Sequence, residues 1–179
     1  MIKSIETKYN EIKFRSRLEA RWALFFDELK IEYQYEAEGF DIDGTWYLPD
    51  FYLPDYSCWI EVKPDGYKWR EDKIIEIFSQ QTNKKFLLIV GAPQQNKYKV
   101  YVLAVPEWDE EFKDNYLGDY GQFALARRAS ENELCFLGDI ENGGIAFNLI
   151  DNSTDDGERE PVTFDLESVY KKAINKKFY

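Results

Sequence analysis

The fold of this chain is decided by Pro49-Asp50-Phe51-Tyr52-Leu53 and, after a short turn, Cys58-Trp59-Ile60-Glu61-Val62-Lys63. Side chains alternate between the two faces of a strand, so the second segment puts Glu61 and Lys63 on one face. Asp50 precedes them in an aromatic run, where a solvated carboxylate is not expected. Two neighbouring strands are therefore predicted to bring an Asp, a Glu and a Lys together.

Two carboxylates that converge from adjacent strands offer the hard oxygen ligands that Mg²⁺ or Mn²⁺ prefers. Lys63 would lie beside such a metal, where it would hold a water or offset charge that develops on a phosphate. One competing interpretation is a structural ion-pair network of Asp50, Glu61 and Lys63. Another treats Lys63 alone as a solvated lysine that protects a sheet edge. Buried ion pairs seldom stabilise a fold, which favours the metal site.

This arrangement resembles the signature of the PD-(D/E)XK nuclease superfamily: Pro49-Asp50, ten intervening residues, then Glu61-Val62-Lys63. The similarity covers residues 14 to about 90 and extends to the small single-domain nucleases of phages and mobile elements. It implies an α/β (α+β) restriction-endonuclease-like core of order α-β-β-β-α-β, with a central mixed sheet flanked by helices. It also implies that Asp50, Glu61 and the Val62 main-chain carbonyl hold Mg²⁺ or Mn²⁺, and that Lys63 is catalytic.

A helix predicted over residues 16–29 adds a further acidic candidate, Glu19. Its apolar stripe ends close to Glu19 on the helical wheel. Members of the family tend to carry an acidic residue on this helix, so the resemblance implies that Glu19 completes the metal shell, directly or through water. The alternative is a capping box, in which Ser16 caps the helix and Glu19 returns to the Ser16 amide. The two roles are compatible, and both are kept.

The rest of the core follows from periodicity and turn residues. The patterns predict a strand over 31–37, a turn at Asp43-Gly44, its partner strand over 45–53, a helix over 70–82, and strands over 86–90 and 99–105. Lys73 and Gln80 lie on the second helix, where related nucleases carry an assisting Lys or Gln. The surface propensity of a helix explains both residues equally well.

Beyond residue 105 the signals predict a small β elaboration that ends in a helix. Short strands are predicted over 123–126, 134–137 and 145–150, a flexible polar loop over 152–161, and a final helix capped by Asp165. The predicted organisation is a nuclease-like core over residues 1–105 and a C-terminal elaboration over residues 106–179. The second part is expected to pack on the core rather than to fold alone.

Composition excludes several classes of enzyme. The chain contains no histidine, which removes Ser-His-Asp and Cys-His catalysis and the zinc hydrolases. It also lacks a long apolar run and a signal-peptide pattern, so a cytoplasmic protein without a membrane partner is expected, in the host cytoplasm if a phage encodes it. Cys58 and Cys135 are interpreted as buried small apolar residues.

The net charge of −11 argues against tight binding of plain duplex DNA. The basic residues Lys13, Arg15, Arg17 and Arg21 cluster around Glu19 and are the candidates for nucleic-acid binding. Weak electrostatics of this kind favour a substrate recognised by shape, such as a branch or a single-stranded junction, or one delivered by a protein partner. A homodimer is a further possibility.

The function predicted from these observations is a divalent-metal-dependent phosphodiesterase, specifically a DNA endonuclease. Its catalytic residues are Glu19, Asp50, Glu61 and Lys63. An RNA-processing nuclease would use the same metal site. The alternative from another class is a catalytically inactive nuclease fold that acts as an acidic binding or inhibitory module, since an acidic surface can engage a basic partner.

Overall fold

The computed structural model describes residues 4–68, 72–81, 83–94, 98–105 and 166–178, together with five short strands between residues 124 and 163. In chain order the elements are β1 (Thr7–Tyr9), β2 (Ile12–Phe14), α1 (Arg17–Leu29), β3 (Gln34–Tyr35), β4 (Phe40–Ile42), β5 (Thr45–Tyr47), β6 (Phe51–Leu53), a 3₁₀ turn (Pro54–Tyr56), β7 (Cys58–Lys63), α2 (Lys73–Gln81), β8 (Lys85–Val90), β9 (Lys99–Ala104), β10 (Ala124–Arg128), β11 (Leu134–Leu137), β12 (Ala146–Asn148), β13 (Thr154–Asp155), β14 (Val162–Thr163) and α3 (Glu167–Asn175).

A five-stranded mixed sheet of order β3-β6-β7-β8-β9 forms the centre of the fold. Strands β7 and β8 are parallel, and the other neighbours are antiparallel. Every residue of β8 is buried, as expected for an apolar strand covered on both faces. The chain therefore has a mixed α/β fold with a central mixed sheet, as predicted.

The alternation in β7 distributes its side chains between two cores. Ile60 and Val62 belong to the core that contains α1 and α3, whereas Trp59 belongs to a second core with Phe78 of α2. Glu61 and Lys63 share the face of Trp59 because side chains two residues apart point the same way. The predicted carboxylate and lysine thus lie on the α2 side of the sheet.

Helix α1 begins and ends at recognisable caps. The Ser16 backbone is extended and its hydroxyl accepts a hydrogen bond from the Glu19 amide, while Lys30 ends the helix in a left-handed conformation with φ 59°. Its buried stripe packs against α3 through Phe25 and Tyr170, whose ring centroids are 4.9 Å apart. The helix predicted over 16–29 and its apolar face are confirmed.

The pairing predicted for residues 31–53 is confirmed, because β3 pairs with β6 inside the two predicted ranges. The predicted turn at Asp43-Gly44 is present too, but it closes a hairpin that was not predicted: β5 pairs with β4 across Asp43 (φ 50°) and Gly44 (φ 79°), the two left-handed residues that a tight hairpin turn requires. The single strand predicted over 45–53 was wrong, because it is divided into β5 and β6. The reason is Pro49, which has no N–H for a ladder and therefore divides the predicted strand 45–53.

The other elements of the core agree with prediction to within a few residues, apart from the β1–β2 hairpin, which was not predicted. Its turn residues, Asn10 and Glu11, both have positive φ, although neither is glycine. Helix α2 covers most of the range predicted as 70–82, and β8 and β9 match their predicted strands.

In the C-terminal part, β10 to β14 form a second, antiparallel sheet of order β13-β12-β11-β10-β14. The three predicted strands are confirmed, but the loop predicted over 152–161 was wrong, because it contains β13. The predicted cap Asp165 lies outside the described residues, and the cap position of α3 falls on Leu166. No helix within the described ranges is long and apolar enough to cross a membrane.

Candidate functional site

Asp50 lies immediately before β6 and is held from both sides. Its Oδ2 accepts a hydrogen bond of 2.8 Å from the Val62 amide, and its Oδ1 accepts one of 2.9 Å from Arg15 Nη2. One step beyond the last pair in the β6–β7 ladder, Phe51 with Ile60, Asp50 comes opposite Glu61. The side chain is only 3% exposed, so the sheet register places it, buried, beside a second carboxylate.

The charges around Asp50 disfavour its ionised form. Burial, then the carboxylate of Glu61 and then that of Glu19 raise the pKa of Asp50 well above its usual value. Arg15 donates to Asp50, but its side chain is 53% exposed, so solvent screens its charge and burial dominates. The neighbourhood of Asp50 therefore carries an excess of negative charge that a bound cation would relieve.

Glu61 is the least satisfied carboxylate of the site. Its Oε1 accepts a hydrogen bond from Lys63 Nζ, while its buried Oε2 has no hydrogen-bond partner among the described residues. The Tyr47 hydroxyl is buried and likewise unpartnered at hydrogen-bond geometry, although burial and the nearby Glu61 raise the pKa of Tyr47. A buried carboxylate oxygen without a hydrogen-bond partner is costly to the fold.

Lys63 completes this group of charges. Burial alone would lower the pKa of Lys63, but its contact with Glu61 outweighs burial and raises the pKa. The lysine is therefore a cation near neutral pH, next to the two carboxylates. The structure thus brings together three of the four predicted catalytic residues, Asp50, Glu61 and Lys63.

Glu19 has a different environment, in which both of its oxygens are used. Oε2 accepts from the Arg15 amide at 3.0 Å and from the Tyr35 hydroxyl at 2.6 Å, and Oε1 accepts from the Ser16 hydroxyl at 2.5 Å. The Ser16 hydroxyl in turn caps the Glu19 amide. The cap is thus present, but the predicted return of Glu19 to the Ser16 amide was wrong, because the carboxylate reaches the amide of the preceding residue.

The predicted nucleic-acid-binding residues differ in their contacts. Arg15 reaches into the site, where its Nε lies 2.6 Å from Glu36 Oε1 and its Nη2 reaches Asp50. Lys13 is exposed and pairs with Glu6 at 2.7 Å. The remaining two arginines of α1 do not join the site in any described contact, and of these Arg17 is exposed whereas Arg21 is half-buried.

The residues present could supply a divalent cation with only a few protein ligands. Within the described ranges, no group of three or more carboxylate, cysteine or histidine side chains lies close enough to hold a metal ion. Asp50 and Glu61 supply two carboxylates, and the orphaned Glu61 Oε2 is available. The Val62 amide donates a hydrogen bond to Asp50, and the Val62 carbonyl points to the same edge of the strand as that amide. Mg²⁺ commonly uses one or two carboxylates and keeps several waters, so this set suits it.

Sequence reasoning missed two side chains that shape the site, Tyr35 and Tyr47. Tyr35 satisfies Glu19 from β3, and Tyr47 lies beside Glu61 from β5. The strand that carries Tyr35 was predicted, but its contact with a carboxylate on α1 was not, and Tyr47 was placed on one continuous strand with Phe51. The division of the strand at Pro49 was the one signal that would have placed Tyr47 on a separate hairpin. Of the helix candidates, Lys73 is exposed, and the Gln80 side chain lies outside the described residues.

No protein-family model matches this chain, and neither a curated protein nor a solved structure matches it. The case for a function therefore depends on the geometry and charge of the site.

Proposed function

We propose that this protein is a divalent-metal-dependent nuclease that hydrolyses phosphodiester bonds in DNA, with Mg²⁺ or Mn²⁺ held by Asp50, Glu61 and the Val62 carbonyl. The proposal includes a restriction-endonuclease-like fold of the PD-(D/E)XK type, which the resemblance implies. It keeps the cytoplasm as the expected location and DNA as the expected partner.

The observation that carries the proposal is the orphaned Oε2 of Glu61 beside a second buried carboxylate. A chain that used these groups only to stabilise its fold would gain from replacing them with apolar residues, because desolvation of buried charges is expensive. A bound cation would satisfy the free oxygen and offset the repulsion between Asp50 and Glu61. Burial of Asp50 and Glu61 destabilises the metal-free fold, and binding of the cation would offset that loss of stability.

The protein groups have separate tasks in this proposal. The Val62 amide fixes Asp50 through Oδ2, and Lys63 holds Glu61 through Oε1. Lys63 remains charged and is positioned to orient the attacking water and to stabilise negative charge on the phosphate. When bound, the metal would polarise the scissile phosphate and lower the pKa of a coordinated water.

The test is a cleavage assay on plasmid, linear duplex, branched and single-stranded DNA and on RNA, with Mg²⁺, with Mn²⁺ and with excess EDTA. We expect DNA cleavage with either metal and none with EDTA. Asp50→Asn should abolish cleavage. Asp55→Asn, the same change at an exposed position in the turn between β6 and β7, should not. Undiminished cleavage in EDTA would contradict the proposal.

A second candidate function, an inactive acidic binding module, is favoured by one observation. Each carboxylate of the site already has a basic partner, Arg15 on Asp50 and Lys63 on Glu61, so the metal-free site is partly neutralised by the protein itself. Together with the net charge of −11, this suits a surface for a basic partner. Calorimetric titration with Mg²⁺ and Mn²⁺ separates the two candidates, because an inactive module of this kind would not bind either ion at the site.

A further inference from the structure

An open cleft of about 590 Å³ lies next to the carboxylate site, at the N-terminal end of α2. Its lining comprises Gly66, Tyr67, Lys68, Asp72, Lys73 and Ile74. Its volume falls within the range of roughly 300–1,000 Å³ that is typical of small-molecule sites. The cleft is therefore large enough to receive one nucleotide.

Tyr67 connects the cleft to the proposed catalytic lysine. The Lys63 ammonium lies over the Tyr67 ring, 5.6 Å from its centroid, within the range of a cation–π contact. The Tyr67 hydroxyl donates to Asp72, which fixes the ring from its other end. Because the ring is only half-buried, it presents a fixed aromatic surface to the cleft directly beside the group that would face the scissile phosphate.

The charge of the cleft is more favourable to a polyanion than the net charge of the chain suggests. Lys68 and Lys73 are both exposed on its lining. Of the lining residues that the structure describes, Asp72 is the one carboxylate, and it accepts hydrogen bonds from the Tyr67 hydroxyl and from the amides of Ile74 and Ile75 at the start of α2. Among the described residues of the lining, two lysines therefore accompany one carboxylate, next to the ring of Tyr67.

We propose that this cleft binds a nucleotide of the DNA strand adjacent to the scissile phosphate, with its unpaired base stacked on Tyr67 and its phosphates against Lys68 and Lys73. The inference rests on the proposed nuclease function and names its substrate class. A base inside a duplex is stacked on its neighbours and cannot reach a side chain in a cleft, so the substrate is single-stranded or branched DNA. Stacking tolerates any base, which predicts little sequence preference.

The experiment measures binding of a labelled single-stranded oligonucleotide in EDTA, so that no cleavage is required. Tyr67→Ala should weaken binding about 10-fold, the usual effect of losing one stacked base, whereas Tyr67→Phe should stay within about 2-fold because it keeps the ring. An abasic residue scanned along the strand should weaken binding by the parent protein at one position. In Tyr67→Ala, the same abasic residue should leave the affinity for the oligonucleotide unchanged.

The lysines are tested by charge removal. The double variant Lys68→Gln/Lys73→Gln should reduce the log–log salt slope by about 1.4, or about 0.7 for each phosphate contact with a single strand. The matched control is Lys171→Gln/Lys172→Gln on α3, which removes the same charge from residues paired with Glu167 and Glu28. These four positions are exposed, so the comparison stands even if the Tyr67 variants fold poorly.

The outcomes separate the two proposals. Binding that depends on Tyr67 without any cleavage would support the cleft and overturn the nuclease function. Cleavage with unchanged binding by Tyr67→Ala and an unchanged salt slope in the lysine variant would overturn the cleft alone. Tighter binding of duplex DNA, or of RNA of the same sequence, would overturn the assignment of the cleft to unpaired DNA.

Discussion

Two buried glutamates of this protein, Glu19 and Glu61, have opposite environments. They are 7% and 3% exposed, so burial does not distinguish them. Glu19 accepts hydrogen bonds from Arg15, Ser16 and Tyr35. Glu61 accepts one from Lys63 on Oε1, and its Oε2 has the Tyr47 hydroxyl nearby but, among the described residues, no partner at hydrogen-bond geometry. A buried carboxylate whose two oxygens both accept hydrogen bonds stabilises the fold, while one with an unpartnered oxygen lowers the free energy of unfolding. The difference supports a structural role for Glu19 and is the reason for proposing Glu61, and not Glu19, as a ligand.

The largest expected effect is on catalysis at Glu61. Glu61→Gln removes the charge of a metal ligand at nearly constant volume, so we expect the cleavage rate to fall by about 10²–10³, the scale on which losing one electrostatic stabiliser acts. Single-turnover rates on branched DNA with Mg²⁺ provide the measurement. Glu28→Gln, a half-buried glutamate on α1 that pairs with α3, is the control for a lost surface charge. Equal rates in Glu61→Gln and the parent would remove the distinction between the two glutamates.

The second effect is on stability at Glu19. Glu19→Ala removes the acceptor of the Tyr35 and Ser16 hydroxyls and leaves the Arg15 amide with the Tyr35 hydroxyl alone. We expect it to lower the free energy of unfolding by about 2 kcal/mol. Urea unfolding provides the measurement. Tyr35→Phe removes one donor and keeps the acceptor, so its loss should be about half as large. A Glu19→Ala protein as stable as the parent would show that these hydrogen bonds do not stabilise the fold.

The third effect concerns Asp50 and pH. A carboxyl whose pKa is raised on folding binds its proton more tightly in the native state, so stability falls as the pH rises from the unfolded pKa of about 3.9 towards the higher folded value. Asparagine cannot ionise, so the Asp50→Asn variant does not lose stability in this way. We therefore expect metal-free Asp50→Asn to be more stable than the parent at pH 7 by about 1 kcal/mol, and the difference to shrink towards pH 4.

Urea unfolding of both proteins across that pH range, in EDTA, measures this difference. The matched control is Asp55→Asn, whose exposed carboxyl should leave the profile unchanged. A metal-free Asp50→Asn protein that is less stable than the parent at pH 7 would mean that the ion pair with Arg15 outweighs burial.

The smallest expected effect is stabilisation by metal. A cation at about three times its Kd stabilises the native state by about 0.8 kcal/mol, which raises the thermal midpoint by a few degrees for a chain of this size. The shift should be present in the parent and in Glu19→Gln, and absent in Glu61→Gln. Loss of the shift in Glu19→Gln as well would place Glu19 in the metal shell, the role that the sequence resemblance implies for it.

Local periodicity explains what could be predicted from the sequence. The alternation of β7 and the apolar stripe of α1 place Glu61, Lys63 and Glu19 correctly, because each pattern depends only on residues close in the chain. The partners of Glu19 could not be predicted in this way. Tyr35 reaches it from β3, and the local pattern that predicts this strand does not show that the Tyr35 hydroxyl meets a carboxylate on α1.

The same limit applies to Arg15. Its place beside the helix predicts a nucleic-acid-binding role, which stays a prediction. What the sequence did not show is that its guanidinium spans Asp50 and Glu36, which are 35 and 21 residues further along the chain. Contacts of this kind depend on how strands separated in sequence are arranged in the sheet. Sequence patterns identified the charged residues of the site, and the tertiary structure determined which of them are paired.

The packing of α3 on α1 has a consequence for synthesis of the protein. Phe25 near the start of the chain is fully buried against Tyr170, whose hydroxyl lies 2.7 Å from that of Tyr98. On the ribosome, Phe25 emerges long before its partner, so this part of the core stays open until the segment around Tyr170 has left the exit tunnel. At roughly 5–20 residues per second, that interval lasts on the order of ten seconds, during which the aromatic face of α1 is exposed to chaperones.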